Sequence, residues 1–257
     1  MIGLYFSGTG NTKHCVEKFV RCFNTNNQSF SIETQGLEQL LAEDDTIVFG
    51  HPTCFSNTHK IVRDFFLDHA ALFHRKKVFI IATMGLFSGD GAGCSARILR
   101  KCGAEIVGGL HLRMPDSVGD SKLLKKTLEE NQSLVLQADK KIRFAAEKWK
   151  KGKPLRNGLS FFYRIAGLFG QRLWFYGKSL SYKNKPEINP EKCTGCGLCV
   201  KNCPMKNLDK KNEKIVHEKR CTMCYRCVNN CPAQAITILG KKVHEQCVFE
   251  KYNVTKK

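Results

Sequence analysis

Eight cysteines near the C-terminus follow one spacing twice. Each run places three cysteines at intervals of three residues, then a fourth cysteine four positions later that is followed by proline. Three thiolates at this interval can ligate one iron–sulfur cluster, and the fourth cysteine completes the neighbouring cluster. We therefore expect two [4Fe-4S] clusters, one held by Cys193, Cys196, Cys199 and Cys231 and the other by Cys203, Cys221, Cys224 and Cys227.

Two other uses of cysteine compete with this interpretation. A single Cys-x2-Cys pair also occurs in zinc sites and redox dithiols, and eight cysteines could form disulfides. Neither alternative accounts for two runs with the same offsets and the same trailing proline, at Pro204 and Pro232. The segment from about 186 to 240 resembles the bacterial two-cluster ferredoxins. Gly195 and Gly197 fit this resemblance, because small residues let backbone N–H groups turn towards the sulfur ligands.

A second candidate site lies near the N-terminus. Met1 to Phe6 has the pattern of a strand buried on both faces, and helical periodicity begins at Cys15. The turn between them offers backbone N–H groups and hydroxyls at a helix N-terminus, an arrangement that binds phosphate. This turn consists of Ser7, Gly8, Thr9, Gly10, Asn11 and Thr12.

The composition of this turn narrows the kind of phosphate it would hold. It lacks the lysine of a Walker A loop and the three-glycine spacing of a Rossmann loop. A phosphate held without a cation suits a monophosphate that stays bound. The Ser-x-Thr-Gly-x-Thr pattern directly after the first strand resembles flavodoxins, and the resemblance implies that residues 7–12 hold the phosphate of FMN. An ordinary glycine-rich turn is the alternative interpretation.

Strands and helices alternate along residues 1–150, which predicts an α/β flavodoxin-like, doubly wound parallel sheet. The predicted strands after the first are an edge strand at 29–34 and strands at 46–51, 77–83 and 105–112. The predicted helices lie at about 60–72, 93–102 and 121–150. Ligands bind beyond the carboxyl ends of parallel strands where the strand order reverses, so the loops after residues 6, 51 and 83 should meet there.

The flavodoxin resemblance gives roles to residues in the two later loops. Flavodoxins clamp the flavin ring between aromatic side chains, and Phe55 and Phe87 match those places. Further cofactor contacts, in part from the backbone near the ring edge, would come from Pro52, Thr53, Thr83, Met84 and Gly85. Either phenylalanine could instead belong to the core. Residues 1–139 carry no net charge, whereas flavodoxins are usually acidic.

Residues 151–185 are predicted to form a connector helix that is rich in basic and aromatic residues. Residues 140–185 contain 13 Lys and Arg residues and one acid, Glu147, which gives a net charge of +12. Within 159–177 the polar positions fall on a narrow helical stripe, so we expect this helix to be buried between two domains. Peripheral contact with an anionic membrane and docking onto a redox partner are alternatives. Nucleic acid is not expected as a partner, because no reader motif accompanies the basic residues.

These patterns predict three segments: an FMN-binding domain at 1–150, the connector at 151–185, and a two-cluster ferredoxin domain with a basic tail at 186–257. No signal peptide or membrane-spanning run is expected. Six cysteines stand apart from the two runs in mostly apolar or helical contexts, so we expect free thiols in a reducing cytoplasm. These are Cys15, Cys22, Cys54, Cys94, Cys102 and Cys247.

Along nearly its whole length, the chain resembles the flavodoxin–ferredoxin fusion proteins of anaerobic bacteria and archaea. The resemblance implies electron transfer between FMN and two [4Fe-4S] clusters, and on to a redox protein or a small-molecule donor or acceptor. One alternative is an NAD(P)H- or quinone-type flavin reductase that uses the clusters as an electron wire, although no second glycine-rich βα turn provides a nicotinamide site. Another is a redox or iron–sulfur sensor without bound flavin. The oligomeric state does not follow from the sequence.

Overall fold

A parallel sheet organises the first half of the chain. The computed structural model describes residues 1–87, 89–175 and 185–254, except for the side chains of residues 171 and 172. The strands are β1 (Ile2–Tyr5), β2 (Ser29–Ser31), β3 (Thr46–Cys54) with its antiparallel hairpin partner β4 (Asn57–Thr58), β5 (Lys77–Met84) and β6 (Glu105–Arg113). The parallel strands follow the order β2-β1-β3-β5-β6. This flavodoxin-like order confirms the predicted doubly wound sheet.

Helices cover both faces of this sheet. They are α1 (Asn11–Arg21), α2 (Leu37–Ala42), α3 (Lys60–Asp68) with a 3-10 turn at Ala70–Phe73, α4 (Gly91–Lys101) and α5 (Leu128–Lys150). Neighbouring residues of one strand enter different cores: Val48 packs with Ile142 of α5, whereas Phe49 packs with Phe66 of α3. Burial on both faces explains the apolar runs of β3 and β5 in the sequence.

The long helix begins later than predicted. We expected it at 121–150, but α5 starts at Leu128. The hydroxyl of Thr127 accepts the N–H of Glu130 at 3.2 Å, and the Glu130 carboxylate accepts the N–H of Thr127 at 2.8 Å. This capping box sets the start of the helix at Leu128, because it satisfies N–H groups at the helix N-terminus. Residues 114–127 are therefore free to form a loop.

The connector lies on the surface of the first half. Gly109 of β6 donates its N–H to the carbonyl of Leu155 at 2.8 Å, so the start of the connector runs along the sheet edge. Helix α6 (Phe161–Gly167) follows, continued by a π-helical stretch at Leu168–Arg172 and by helical residues to 175. Within α6 only Gly167 is buried. The expected burial of this helix between two domains is therefore wrong, and the rest of the predicted connector, residues 176–184, lies outside the described residues.

Short elements surround the cysteines of the second half. They are β7 (Glu187–Ile188), α7 (Leu198–Asn202), β8 (Leu208–Lys211), β9 (Lys214–His217), α8 (Arg226–Asn230) and β10 (Ile236–Thr237), followed by α9 (Phe249–Tyr252). Strand β10 pairs with β7 and β8 pairs with β9, both antiparallel. Helix α9 packs on the first half of the chain instead, where Phe249 and Tyr252 are buried in the core shared by α1 and α5. The predicted domain borders stay a prediction.

The six cysteines outside the two runs are free thiols, and Cys15, Cys94, Cys102 and Cys247 are buried. None of the helices in the described ranges is long and apolar enough to cross a membrane.

Candidate cofactor sites

A cavity of about 530 Å³, here called the main cavity, opens at the carboxyl ends of β1, β3 and β5. Ligands of open parallel sheets bind at this place because the strand order reverses there. Twelve of the thirteen residues predicted to contact a cofactor line it: Ser7, Gly8, Thr9, Asn11, Thr12, Pro52, Thr53, Phe55, Thr83, Met84, Gly85 and Phe87. Gly10 instead faces Phe249, whose Cβ would lie 2.8 Å from a Cβ on residue 10.

The loop after β1 presents a helix N-terminus to the main cavity. Gly10 is the N-cap of α1 with a φ angle of 97°, and the first turn of the helix contains no acidic residue. The first N–H groups of α1 therefore have no side-chain cap. Ser7 Oγ accepts the N–H of Gly10 at 3.0 Å, and Thr12 Oγ1 lies 2.7 Å from Thr83 Oγ1. Free N–H groups, hydroxyls and a helix dipole fit a phosphate group.

The side chain of Asn11 provides a second observation that fits a ligand in the main cavity. Its Nδ2 donates to the carbonyl of Pro115 at 2.8 Å, which fixes the orientation of the amide. The amide oxygen Oδ1 is then buried without a hydrogen-bond partner among the described residues. Buried acceptors are normally paired with a donor. A ligand hydroxyl in the main cavity would supply that donor, and FMN carries hydroxyls as well as a phosphate.

The two aromatic residues predicted to clamp a flavin both border the main cavity. Phe55 and Ser56 occupy the turn between β3 and β4 with φ angles of 48° and 56°, the left-handed pair that tight hairpins favour. Phe55 stacks on Phe175 of the connector, with 5.3 Å between ring centroids and 9° between planes. Phe87 is 44% exposed at the rim. The clamp stays a prediction, and Phe175 is an aromatic neighbour that the sequence analysis missed.

The eight cysteines of the two runs surround two further cavities. We call the first the distal cysteine cavity, lined by Cys193, Cys196, Cys199 and Cys231. We call the second the proximal cysteine cavity, lined by Cys203, Cys221, Cys224 and Cys227. Each set joins three cysteines of one run to the last cysteine of the other run, which is the grouping that the spacing predicts. Cluster binding by these two sets stays a prediction.

Both runs adopt the same local conformation. A left-handed residue precedes each short helix, Gly197 with a φ of 73° before α7 and Tyr225 with a φ of 60° before α8. The last cysteine of each run, Cys203 or Cys231, follows its helix with nearly identical φ and ψ angles. Backbone N–H groups donate to the sulfur atoms of three ligand candidates at 3.3–3.4 Å, Cys203, Cys221 and Cys231. Such N–H···S bonds are the usual surroundings of cluster thiolates.

The thiols differ in their ease of ionisation. Burial raises the pKa of Cys224 to about 12, and burial also raises the pKa values of Cys221 and Cys227. Cys196 is exposed, and the backbone N–H of Leu198 lowers its pKa. Iron ligation requires thiolates, so metal binding at the proximal cysteine cavity must displace protons.

The main cavity and the proximal cysteine cavity share a wall. Cys224 and Tyr225 line both of them. Gly8 of the loop after β1 lies against Cys224, because a Cβ on residue 8 would be 2.0 Å from the carbonyl oxygen of Cys224. The proximal cysteine cavity is therefore the one that borders the space predicted for a flavin.

Arg226 fastens this wall to the sheet. Its guanidinium donates to the carbonyl of Ser7 at 2.9 Å and to both carboxylate oxygens of Glu33 at 2.7 and 2.8 Å. A bidentate pair of this kind fixes geometry as well as charge. His59 adds a second tie, with Nδ1 2.8 Å from the carbonyl of Thr222. The sequence analysis missed these contacts, because the paired residues lie more than 160 positions apart.

The loop at 114–127 makes the third tie. The buried carboxylate of Asp120 accepts the hydroxyl of Tyr225 at 3.0 Å and the N–H groups of Ile238, Leu239 and Gly240 at 2.6 to 3.1 Å. Asn229 of α8 donates to the carbonyl of Ser117 at 2.8 Å. Through Asp120 and Ser117 the loop thus accepts five hydrogen bonds from the cysteine-rich half.

Residues 185–232 match the family model described as a 4Fe-4S dicluster domain. Among solved structures, a flavodoxin from Megasphaera elsdenii matches with 24% identity over 43% of this chain and 85% of its own, with a TM-score of 0.39. Flavodoxin 2 from Bacillus cereus matches with 19% identity over 59% of this chain and 97% of its own, with a TM-score of 0.41. A flavodoxin from Fusobacterium nucleatum bound to flavin mononucleotide matches with 18% identity, shares of 59% and 98%, and a TM-score of 0.38.

No curated protein matches the chain. The parallel sheet of the first half has the flavodoxin-like strand order, whereas the second half carries the dicluster match. The chain therefore joins a flavodoxin-like α/β fold to a 4Fe-4S dicluster domain.

Proposed function

We propose that the protein transfers electrons between an FMN in the main cavity and two [4Fe-4S] clusters, and from there to a redox partner. The dicluster domain supports a role in electron transfer. The uncapped N-terminus of α1 and the unpaired Oδ1 of Asn11 support a phosphate- and hydroxyl-bearing cofactor. The observation that carries the proposal is the position of Cys224 in the walls of both the main cavity and the proximal cysteine cavity.

The arrangement gives the three sites an order. The proximal cysteine cavity borders the main cavity, and the distal cysteine cavity contains the exposed Cys196. Helices α7 and α8, which carry ligand candidates of both sets, contact each other. When bound, FMN would exchange electrons singly or in pairs, whereas each cluster exchanges one at a time. The protein's own contribution is to hold the sites close together, to exclude water around Cys224, and to leave the distal site open to a partner.

The test uses the full-length protein, reconstituted anaerobically with iron, sulfide and FMN. The proposal expects about eight irons and one FMN per chain, as two [4Fe-4S] clusters and one flavin require. Flash reduction with a deazaflavin should be followed by redistribution of the electron between flavin and cluster absorbance bands. Cys224→Ser should slow this redistribution at least about tenfold, because it removes the ligand candidate that lies between the main cavity and the proximal cysteine cavity. A tenfold change in rate corresponds to about 1.4 kcal/mol of barrier.

Cys196→Ser is the matched control, because it makes the same substitution at a ligand candidate of the distal cysteine cavity. It should leave the first exchange with the flavin in place and affect the transfer to an external acceptor. Zinc in place of iron, failure to retain FMN, or redistribution at the wild-type rate in Cys224→Ser would each contradict the proposal.

A flavin-dependent reductase is a second candidate, supported by a neighbouring cavity of about 320 Å³. This cavity shares Met84, Leu86 and Phe87 with the main cavity and is also lined by the cations Arg113 and Lys141. It could hold the charged part of a small substrate beside the flavin space. Steady-state oxidation of NADH or NADPH with a quinone acceptor tests this function. If it operates, Arg113→Gln should raise KM more than it lowers kcat.

A further inference from the structure

The connector helix turns an apolar face to solvent. Along residues 161–175, five large aromatic or aliphatic side chains are at least 60% exposed: Phe162 at 80%, Trp174 at 72%, Phe161 at 66%, Phe169 at 62% and Leu173 at 60%. Ile165 and Leu168 are exposed to a smaller extent. These seven large apolar side chains, exposed within one short helical segment, indicate an interaction site on the protein surface.

The opposite face of the same helix is fastened to the α/β half. Tyr163 packs edge-on against His111, with ring centroids 5.2 Å apart, and its hydroxyl accepts the Nδ2–H of Asn157 at 2.7 Å. One turn later, Gly167 lies so close to the loop before α4 that a Cβ would be 2.7 Å from the backbone nitrogen of Asp90. Tyr163 and Gly167 are spaced i, i+4 and so share one face. The apolar side chains are therefore held outward and cannot turn inward without breaking these contacts.

The charge around this helix is of one sign. The sequence contains no acidic residue between Glu147 and Glu187, and residues 140–185 carry a net charge of +12. Lys151, Lys153 and Arg156, which precede the helix, are exposed, as is Arg164 within it. Aromatic and aliphatic side chains on one face, with Lys and Arg beside them, are the pattern of helices that lie in the interface of an anionic membrane.

We propose that an anionic lipid surface covers this face of the connector helix. The fifteen residues from 161 to 175 extend about 22 Å as a helix, which suits a helix lying in the plane of the interface. Trp174 and the phenylalanines would enter the boundary between headgroups and acyl chains, as Trp and Phe do on the apolar face of interfacial helices. The basic residues would contact the lipid phosphates.

Docking in this orientation has a geometric consequence for the main cavity. Phe175 of the connector stacks on Phe55, and a Cβ on Gly170 would lie 3.5 Å from the ring of Phe87. The helix that contacts lipid would therefore also border the mouth of the main cavity. The bound protein would hold that mouth at the membrane surface.

The experiment is co-sedimentation of the full-length protein with vesicles of phosphatidylglycerol and phosphatidylcholine, and with vesicles of phosphatidylcholine alone. We expect binding to the anionic vesicles, at least about tenfold weaker binding to the neutral ones, and loss of binding at high salt. The double variant Phe162→Glu, Trp174→Glu should lose binding at least about tenfold, because two apolar anchors become anions. Leu67→Glu is the matched control, since Leu67 is 57% exposed on α3, outside this face.

A second readout follows Trp174 directly. The protein has two tryptophans. Trp149→Phe leaves Trp174 as the sole tryptophan, and its emission should shift to shorter wavelength on addition of anionic vesicles. Equal binding to both kinds of vesicle, no binding to either, or unchanged binding of the double variant would overturn the proposal. Sedimentation velocity tests a second copy of the chain as the occupant of this face. A wild-type dimer that the double variant abolishes, together with no binding to vesicles, would also overturn the proposal. Iron and FMN contents of each variant are measured separately, so failure of the electron-transfer proposal is distinguishable.

Discussion

The carbonyl oxygen of Cys224 lies against the α-carbon of Gly8, where a Cβ would be only 2.0 Å away. This contact joins the predicted phosphate loop to the loop that carries three of the proximal cysteines. Tyr225 and Arg226 follow immediately and hydrogen-bond to the first half of the chain. The two loops are therefore held so close together that no side chain fits between Gly8 and the Cys224 carbonyl. Position 8 therefore requires glycine for steric reasons.

We predict that Gly8→Ala separates the two loops. The added methyl group meets a backbone atom, so the main chain itself must shift, and the variant should lose about 1–3 kcal/mol of unfolding free energy. Because the two loops move apart, Gly8→Ala should also slow the proposed exchange of electrons between flavin and cluster, seen in their absorbance bands. Anaerobic urea unfolding and flash reduction measure the two effects.

Gly170→Ala is the control for this substitution, because among the described residues its Cβ would meet Phe87 alone, at an ordinary distance of 3.5 Å. It should change the unfolding midpoint little. A Gly8→Ala protein with wild-type stability and wild-type exchange would show that the two loops are not in contact.

Asp120 gives a second prediction, because one buried carboxylate accepts four hydrogen bonds. In Asp120→Asn an NH2 group must face either the Tyr225 hydroxyl or the row of three N–H groups. We expect a loss of about 2–3 kcal/mol, the usual cost of leaving charge-assisted bonds unmade in a buried site. Tyr225→Phe should cost less, since it removes one of the four bonds.

Asp209→Asn provides the comparison for Asp120→Asn within the same half of the chain. The Asp209 side chain is 51% exposed beside Lys211, so its substitution should have little effect. Anaerobic urea unfolding with iron retention as a second readout distinguishes the variants. Equal midpoints for Asp120→Asn and Asp209→Asn would show that the loop at 114–127 does not anchor the cysteine-rich half.

Local patterns predicted the five parallel strands and both groups of cysteines, but not the short strands β4 and β7–β10 or the contacts between distant segments. The spacing of the cysteines specifies the two sets, and the apolar runs at 46–51 and 77–83 correspond to β3 and β5. Asp120, in contrast, looks like any loop acid, because its partners are 105 to 120 residues away. The capping box at Thr127 was the available signal that 121–127 is not helical.

The connector shows why an apolar pattern alone can mislead. A narrow polar stripe indicates that most of the helix avoids water in some state of the protein. It does not indicate whether the covering surface belongs to the same chain. Within α6 only Gly167 is buried, so the predicted burial between two domains is wrong.

The last helical turn gives a third prediction. Phe249 of α9 stacks on His14 with 4.3 Å between ring centroids, and its N–H donates to the carbonyl of Thr9 at 2.8 Å. The tail therefore closes the back of the phosphate loop. Phe249→Ala should cost about 3–4 kcal/mol as a buried aromatic truncation and should lower the affinity for FMN. Phe144→Ala, at a side chain that is 50% exposed on α5, should have little effect on either quantity.

A tail that merely lies on the surface would give a different result. In that case Phe249→Ala and Phe144→Ala would unfold at the same urea concentration and bind FMN equally in a fluorescence titration. Such an outcome would contradict the role of α9 behind the phosphate loop.

Two buried histidines predict the pH dependence of stability. Burial lowers the pKa of His51 to about 4, and burial, with help from Lys141, lowers the pKa of His111 to about 4. In the unfolded chain both should titrate near the ordinary value of about 6.5. Between these values the unfolded state binds more protons than the folded state. Their contribution to stability is therefore complete above pH 6.5 and decreases as the pH falls towards 4.

Each histidine should contribute a slope of up to about 1.4 kcal/mol per pH unit in this window. Urea unfolding between pH 7.5 and 5, with the iron content checked at each pH, measures the total slope. Protonation of cluster thiolates gives a slope of the same sign, so the informative quantity is the difference between wild type and His111→Gln. The variant should have a flatter profile whatever its absolute stability, because one proton-binding site is gone. A profile parallel to that of the wild type would mean that His111 takes up its proton equally well in the folded and unfolded chains.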